Sequence, residues 1–143
     1  MELQSAEINE IAAAMVKVQG EIKRSALDGL NPDFDSSYSS LGSVWDACHE
    51  ALQKNGIAVI QQATPIDGIS YLVCTFLHTS GQWIRGFYQF TETDNTAWSY
   101  GSNMSYLRRY SLAAMAGVIV ADDDGKAAMP KTEKPTLEDE IPW

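Results

Sequence analysis

Basic charge is scarce in this chain. Its 143 residues hold ten lysines and arginines against nineteen aspartates and glutamates, a formal balance of −9 at pH 7. The excess is spread along the sequence: residues 1–125 carry seven basic and fifteen acidic side chains, residues 126–143 three and four. A field of that sign repels phosphate, so any nucleic-acid contact has to come from cations gathered locally. Long apolar runs are missing as well: no run reaches the roughly 18 residues of a membrane span, and no basic segment leads into an apolar one at the N-terminus. Neither a signal peptide nor a membrane span is expected, and a cytoplasmic protein is. The only cysteines, Cys48 and Cys74, lie in apolar-patterned segments without metal-ligand spacing, which points to buried, reduced thiols. His49 and His78 each lack a cysteine or carboxylate at ligand spacing, so no metal or cofactor is expected there. A phosphate-binding loop is missing too, because Gly125-Lys126 is followed by Ala127. No serine or cysteine nucleophile pairs locally with a base, and a non-enzymatic role is expected.

What is present suits one domain. A hydrophobic share of 45% and a charged share of 20% are ordinary for a globular chain of this length. Ile8, Ile11, Ala12, Met15, Val18 and Ile22 recur at steps of three and four, predicting an amphipathic helix over about residues 4–26. Gly29 and Pro32 in "LDGLNPDFDSS" end it. A second helix starts with Ser39 or Ser40 as cap, turns Leu41, Val44, Trp45, Cys48 and Leu52 inward, and stops at Asn55-Gly56. Three runs rich in β-branched and aromatic residues follow, at 57–64, 69–78 and 82–91, with "PIDG" and "TSG" as turns between them; an antiparallel meander is the economical pairing. The middle run is apolar on both alternating faces, as for a sheet covered by its own helices on one side and by something else on the other. A third helix is expected through Ser105–Ala116, capped by Ser99 or Ser102 and ended by Gly117, with "VIVADDD" as a possible short strand. Beyond Gly125 the composition changes, and residues 126–143 read as a flexible tail on a domain of residues 1–125.

The third helix carries the densest chemistry. Tyr106 and Tyr110, four apart, share a face, while Arg108 and Arg109 are neighbours pointing about 100° apart and cannot both face the core. Guanidinium groups beside aromatic rings can grip phosphates and stack bases; equally, one arginine could pair with an acid while the tyrosines pack in the core. Both readings are open at this stage. Asp122, Asp123 and Asp124 offer oxygen ligands for a hard cation or form a solvated acidic turn, which makes a metal-dependent nuclease the alternative function.

Three ordered blocks, "NPDFDSSYSSLGSVWDACHEALQKNGIAVIQ" (31–61), "FLHTSGQWI" (76–84) and "GSNMSYLRRYSLAAMAGVIVADDDG" (101–125), together resemble the ERF (essential recombination function) family of phage single-strand annealing proteins. The resemblance implies an α+β fold, with N-terminal helices ahead of a three-stranded antiparallel meander and a helix, the β-β-β-α annealing core. It implies ATP-independent binding of single-stranded DNA and annealing of complementary strands in homologous recombination. It also implies a homo-oligomeric ring or filament. Tyr106, Arg108, Arg109 and Tyr110 match the family's helix motif, Gly101 and Ser102 its start, and Asp123, Asp124 and Gly125 its close. Asp33 and Asp35 depart from the family, which usually has a basic residue there, and this argues against a DNA contact from that loop. Lys54 and Arg85 join the four helix residues as candidate DNA contacts, with Lys17, Lys23 and Arg24 as further cations for a groove. The last six residues, "EDEIPW", are similar to the C-terminal tip of bacterial single-stranded-DNA-binding protein. That similarity makes Asp139, Glu140, Ile141, Pro142 and Trp143 candidate contacts for host DNA-maintenance proteins; a tail that only decoys such proteins is another alternative.

Overall fold

A computed structural model of the chain describes residues 1–26, 29–31, 36–91 and 96–120. Helix α1 spans Asn9–Glu21 and is followed by two short strands, β1 (Gly29–Asn31) and β2 (Ser36–Tyr38), paired antiparallel. Helix α2 (Leu41–Lys54) leads into the meander of β3 (Ile57–Ile66), β4 (Ile69–His78) and β5 (Trp83–Gln89), and α3 (Ala97–Ala116) closes the described chain. Strand order in the main sheet is β3-β4-β5, all antiparallel. The expected α+β architecture, three antiparallel strands followed by a helix, is therefore the one observed. The loop with Asp33 and Asp35, the aspartates 122–124 and the tail 126–143 lie outside the described residues.

The sheet packs all three helices on one face. Strand alternation aims Leu72, Cys74 and Phe76 of β4 at the helices, all three buried. They meet Ile11 and Val18 of α1, Val44, Cys48 and Leu52 of α2, and Leu112 and Ala116 of α3 in one core. Cys48 and Cys74 are both free and buried in it. Burial, with the neighbouring Cys74, pushes the Cys48 thiol up to about 11, and burial raises Cys74 as well.

Five expectations about the elements change. The first helix is shorter than residues 4–26, because residues 3–5 lie in extended form along the outer edge of β5: Gln4 bridges to Ile84, and Arg85 N–H donates to the Leu3 carbonyl at 2.8 Å. The helix start is then fixed from afar, with Gln82 Oε1 accepting from the N–H groups of Glu10 and Ile11, two donors that an N-terminus leaves open. Ala14, not Ala12, completes the buried stripe. Trp45 points outward, 43% exposed, and stacks on His49 with ring centroids 5.4 Å apart. Helix α3 begins earlier than either expected cap, Ser99 or Ser102, since Thr96 caps it by accepting from Ser99 N–H, and residues 118–120 form no strand.

Other boundaries fall where their signals lie. Ser40 caps α2 by accepting from Ser43 N–H. Asp67-Gly68, both at positive φ, make the tight two-residue hairpin turn that matches strand twist. Gly117 at φ 83 ends α3 in the left-handed conformation. No described helix is long and apolar enough to cross a membrane.

Candidate nucleic-acid interface

Helix α3 lies across the sheet with its two arginines divided. Arg109 is 2% exposed. Its Nη1 donates to the Ser39 carbonyl at 3.0 Å, and its guanidinium carbon lies 4.4 Å from the centre of the Tyr110 ring. Ser39 is itself buried, sharing a hydrogen bond of 2.8 Å with Ser25, whose hydroxyl also donates to the Ile119 carbonyl. Arg109 thus ties α3 to the entry of α2 and to the segment after α1. In this arrangement its guanidinium does not reach a ligand at the surface.

Arg108 faces the other way and is exposed. Its Nε donates to Gln61 Oε1 at 3.2 Å, and Gln61 Nε2 returns bonds to the Arg108 carbonyl and the Ser111 hydroxyl, each at 3.0 Å. The terminal amino groups of Arg108 make no hydrogen bond or ion pair among the described residues. Gln61 on β3 is a positioning residue that sequence reasoning missed. Its only signal was a polar residue at an inward-facing position of a strand. Tyr106 and Tyr110 do share a face, with ring centroids 4.6 Å apart. Arg109, Tyr110 and Tyr106 therefore form one continuous row of planar groups, half-exposed at its tyrosine end.

The remaining candidates sit elsewhere. Arg85 lies on the face of the sheet turned away from the helices, with its guanidinium carbon 4.6 Å from the Trp83 ring centre and 5.2 Å from that of Phe87. Lys54 ends α2, 3.5 Å from Glu21, and lines an open cleft of about 670 Å³ with Lys17, Asn55 and His78. Lys23 is taken up by Glu50 at 3.7 Å. The six residues proposed for DNA thus fall in three places: the α3 row with Arg108, the outer sheet face with Arg85, and the cleft with Lys54. No group of three or more histidine, cysteine or carboxylate side chains that could hold a metal occurs among the described residues.

Helix α3 thus presents the exposed Arg108 beside Gln61 of β3, with the Tyr106–Tyr110 pair on the same helix. The family model of the ERF superfamily matches residues 11–140. The chain belongs to the ERF superfamily. That assignment places it with the single-strand annealing proteins of phage recombination. The match takes in every described helix and strand except the first two residues of α1. No curated protein and no solved structure matches the chain.

Proposed function

We propose that this ERF protein binds single-stranded DNA and anneals complementary strands without ATP, as a ring or filament of identical subunits, and catalyses no bond-breaking step. The observation that carries this reading is the family match across residues 11–140. The geometry lends it a mechanism. Arg108 presents its terminal amino groups to solvent from a side chain anchored at Nε by Gln61, so little side-chain freedom is lost when a phosphate is gripped. Tyr106, packed against Tyr110 with the rings tilted 53°, lies four residues from it on that helix and offers a ring to a base.

One subunit supplies few such contacts. One exposed arginine neutralising one phosphate gives a salt slope of only about −0.7 for a single strand, and each stacked base adds roughly 1–3 kcal/mol. Self-assembly sums these terms along one strand, converting weak contacts into a stable complex that still leaves base edges open to a partner strand. The acidic remainder of the chain then faces away from the DNA. Residues 138–143 extend the role: the acidic run with Ile141, Pro142 and the terminal Trp143 recruits host DNA-maintenance proteins through a basic rim and an apolar pocket.

The deciding experiment incubates labelled complementary oligonucleotides with the protein in the absence of nucleotide. Pairing well above the spontaneous rate is expected, reduced in Arg108→Gln and retained after deletion of residues 138–143. Absence of any acceleration, or Mg²⁺-dependent cutting of the strands, overturns the reading. Loss of annealing on tail deletion alone favours the decoy.

A further inference from the structure

We propose that the sheet face turned away from the helices is a second single-strand site, a stacking platform for bases organised around Arg85. The inference rests on the annealing reading above, but on different residues from the α3 row. Along β5, alternation sends Ile84 and Tyr88 toward the core and Trp83, Arg85 and Phe87 to the opposite face, about 7 Å apart at each step. The Arg85 guanidinium sits between the two rings, 4.6 Å from the centre of Trp83 and 5.2 Å from that of Phe87. Tyr71 of β4 extends the row, meeting Phe87 edge-on with centroids 6.3 Å apart at 88°. Four planar groups, each partly exposed, therefore stand in contact on a face that no described helix packs against.

Arg85 is held in place. Its Nε donates to the Glu2 carbonyl at 2.7 Å, and its backbone N–H donates to the Leu3 carbonyl at 2.8 Å, so the N-terminal segment fixes both ends of the residue. Its terminal amino groups make no hydrogen bond or ion pair among the described residues. A guanidinium stacked between rings is partly stripped of water and aimed in one direction, which is the arrangement that favours a planar or phosphate acceptor.

The charge of the face selects the occupant. The residues that alternation places there, among them Ile60, Gln62, Val73, Thr75 and Leu77, include no aspartate or glutamate, in a chain of net charge −9. An apolar protein surface laid on this face would desolvate Arg85 without giving it an acceptor, and a buried unpaired cation is costly. A single strand of nucleic acid brings both what the rings accept, a base, and what the guanidinium lacks, an anionic oxygen.

The test uses the full chain. An oligonucleotide carrying 5-iodouracil is bound, irradiated, and the crosslinked peptides are mapped by mass spectrometry; affinity for the same oligonucleotide is measured for wild type, Arg85→Gln and Arg108→Gln across a salt series. Crosslinks at Trp83, Phe87 or Tyr71 are expected, with Arg85→Gln binding about ten-fold more weakly and its thermal melt close to wild type. Crosslinks confined to Tyr106 and Tyr110, with Arg85→Gln binding as wild type, overturn this inference and leave the annealing reading standing. A failure of every form to bind the oligonucleotide overturns both. A change of particle mass in Arg85→Gln without crosslinks on this face would mean that a second copy covers it, and the inference falls. The crosslinking readout is taken on wild type, so it holds even where a variant folds poorly.

Discussion

Arg108 and Arg109 follow one another on α3, and the helix turns them about 100° apart, one into solvent and one into the protein. The consequence is a clean separation of roles that can be measured. Removing Arg109 takes away a guanidinium that is 2% exposed and bonded to the Ser39 carbonyl, leaving polar groups of α3 and the α2 entry without their partner. Arg109→Ala is expected to cost about 2–4 kcal/mol in urea unfolding. Arg108→Gln, at the surface, should stay within about 0.5 kcal/mol of wild type while weakening oligonucleotide binding. A pair of variants with equal stabilities would show that the two side chains are not divided in this way. Cys48 offers a second residue-scale check. Its thiol is raised to about 11 by burial, whereas an unfolded chain releases that proton near the ordinary thiol value of 9.0. The folded state holds the proton longer, so this contribution is fully present below about pH 9 and is lost as pH climbs through 11, on the order of 3 kcal/mol in all. Unfolding midpoints that fall across that window in wild type, and fall less in Cys48→Ala, would meet the expectation; identical profiles would not.

At the scale of elements, turns decide the register of the meander, and the glycines in them differ in what they tolerate. Gly56 has φ +76, and a Cβ there would lie 3.0 Å from Thr79 Oγ1 and 3.2 Å from its methyl carbon, while Thr79 N–H donates to the Gly56 carbonyl. Gly68 has φ +80 with nothing within 4 Å of such a Cβ. Gly56→Ala should therefore destabilise by more than about 1 kcal/mol, since it combines backbone strain with a crowded contact, and Gly68→Asn should be nearly neutral, asparagine being at home in the left-handed region. Thermal melts of the two variants separate these outcomes, and equal losses would remove the crowding argument. Much of this architecture was legible in the sequence because its signals are local: Ser40 before an apolar period, Asn55-Gly56 after it, Asp67-Gly68 between two alternating runs. What could not be read was set by distant partners. Residues 3–5 carry no strand signal of their own yet are drawn onto the β5 edge, and Gln82 stands in for a cap that α1 lacks. Trp45 fits the period of α2 but lies on its exposed flank, where hydrophobic spacing alone cannot tell the edge of a stripe from its centre. The same limit applies to the site: spacing placed Tyr106 and Tyr110 together, but only packing could say which arginine was buried, and nothing local joined Gln61 to α3.

For the molecule as a whole, the opposition between a net charge of −9 and a polyanionic ligand turns into a statement about number. Each subunit has Arg108 and Arg85 with terminal amino groups that make no bond among the described residues. If they meet one phosphate each, a lone subunit gives a slope of about −1.4 in log affinity against log salt, close to a seven-fold loss between 50 and 200 mM. Long-range attraction cannot supplement it, because the field of the remaining charge has the wrong sign and is screened within about 10 Å. A steeper dependence then requires more subunits on the same strand. Titrating a fluorescent oligonucleotide across that salt range, with particle mass measured in parallel, should give a slope steeper than about −3 wherever annealing is fast, together with a mass of several subunits. Arg108→Gln should flatten the slope by about 0.7 for each subunit engaged, so the size of the change reports how many copies share one strand. A slope that stays near −1.4 while annealing proceeds at full rate would mean that single subunits suffice, and the link between charge and assembly would be lost.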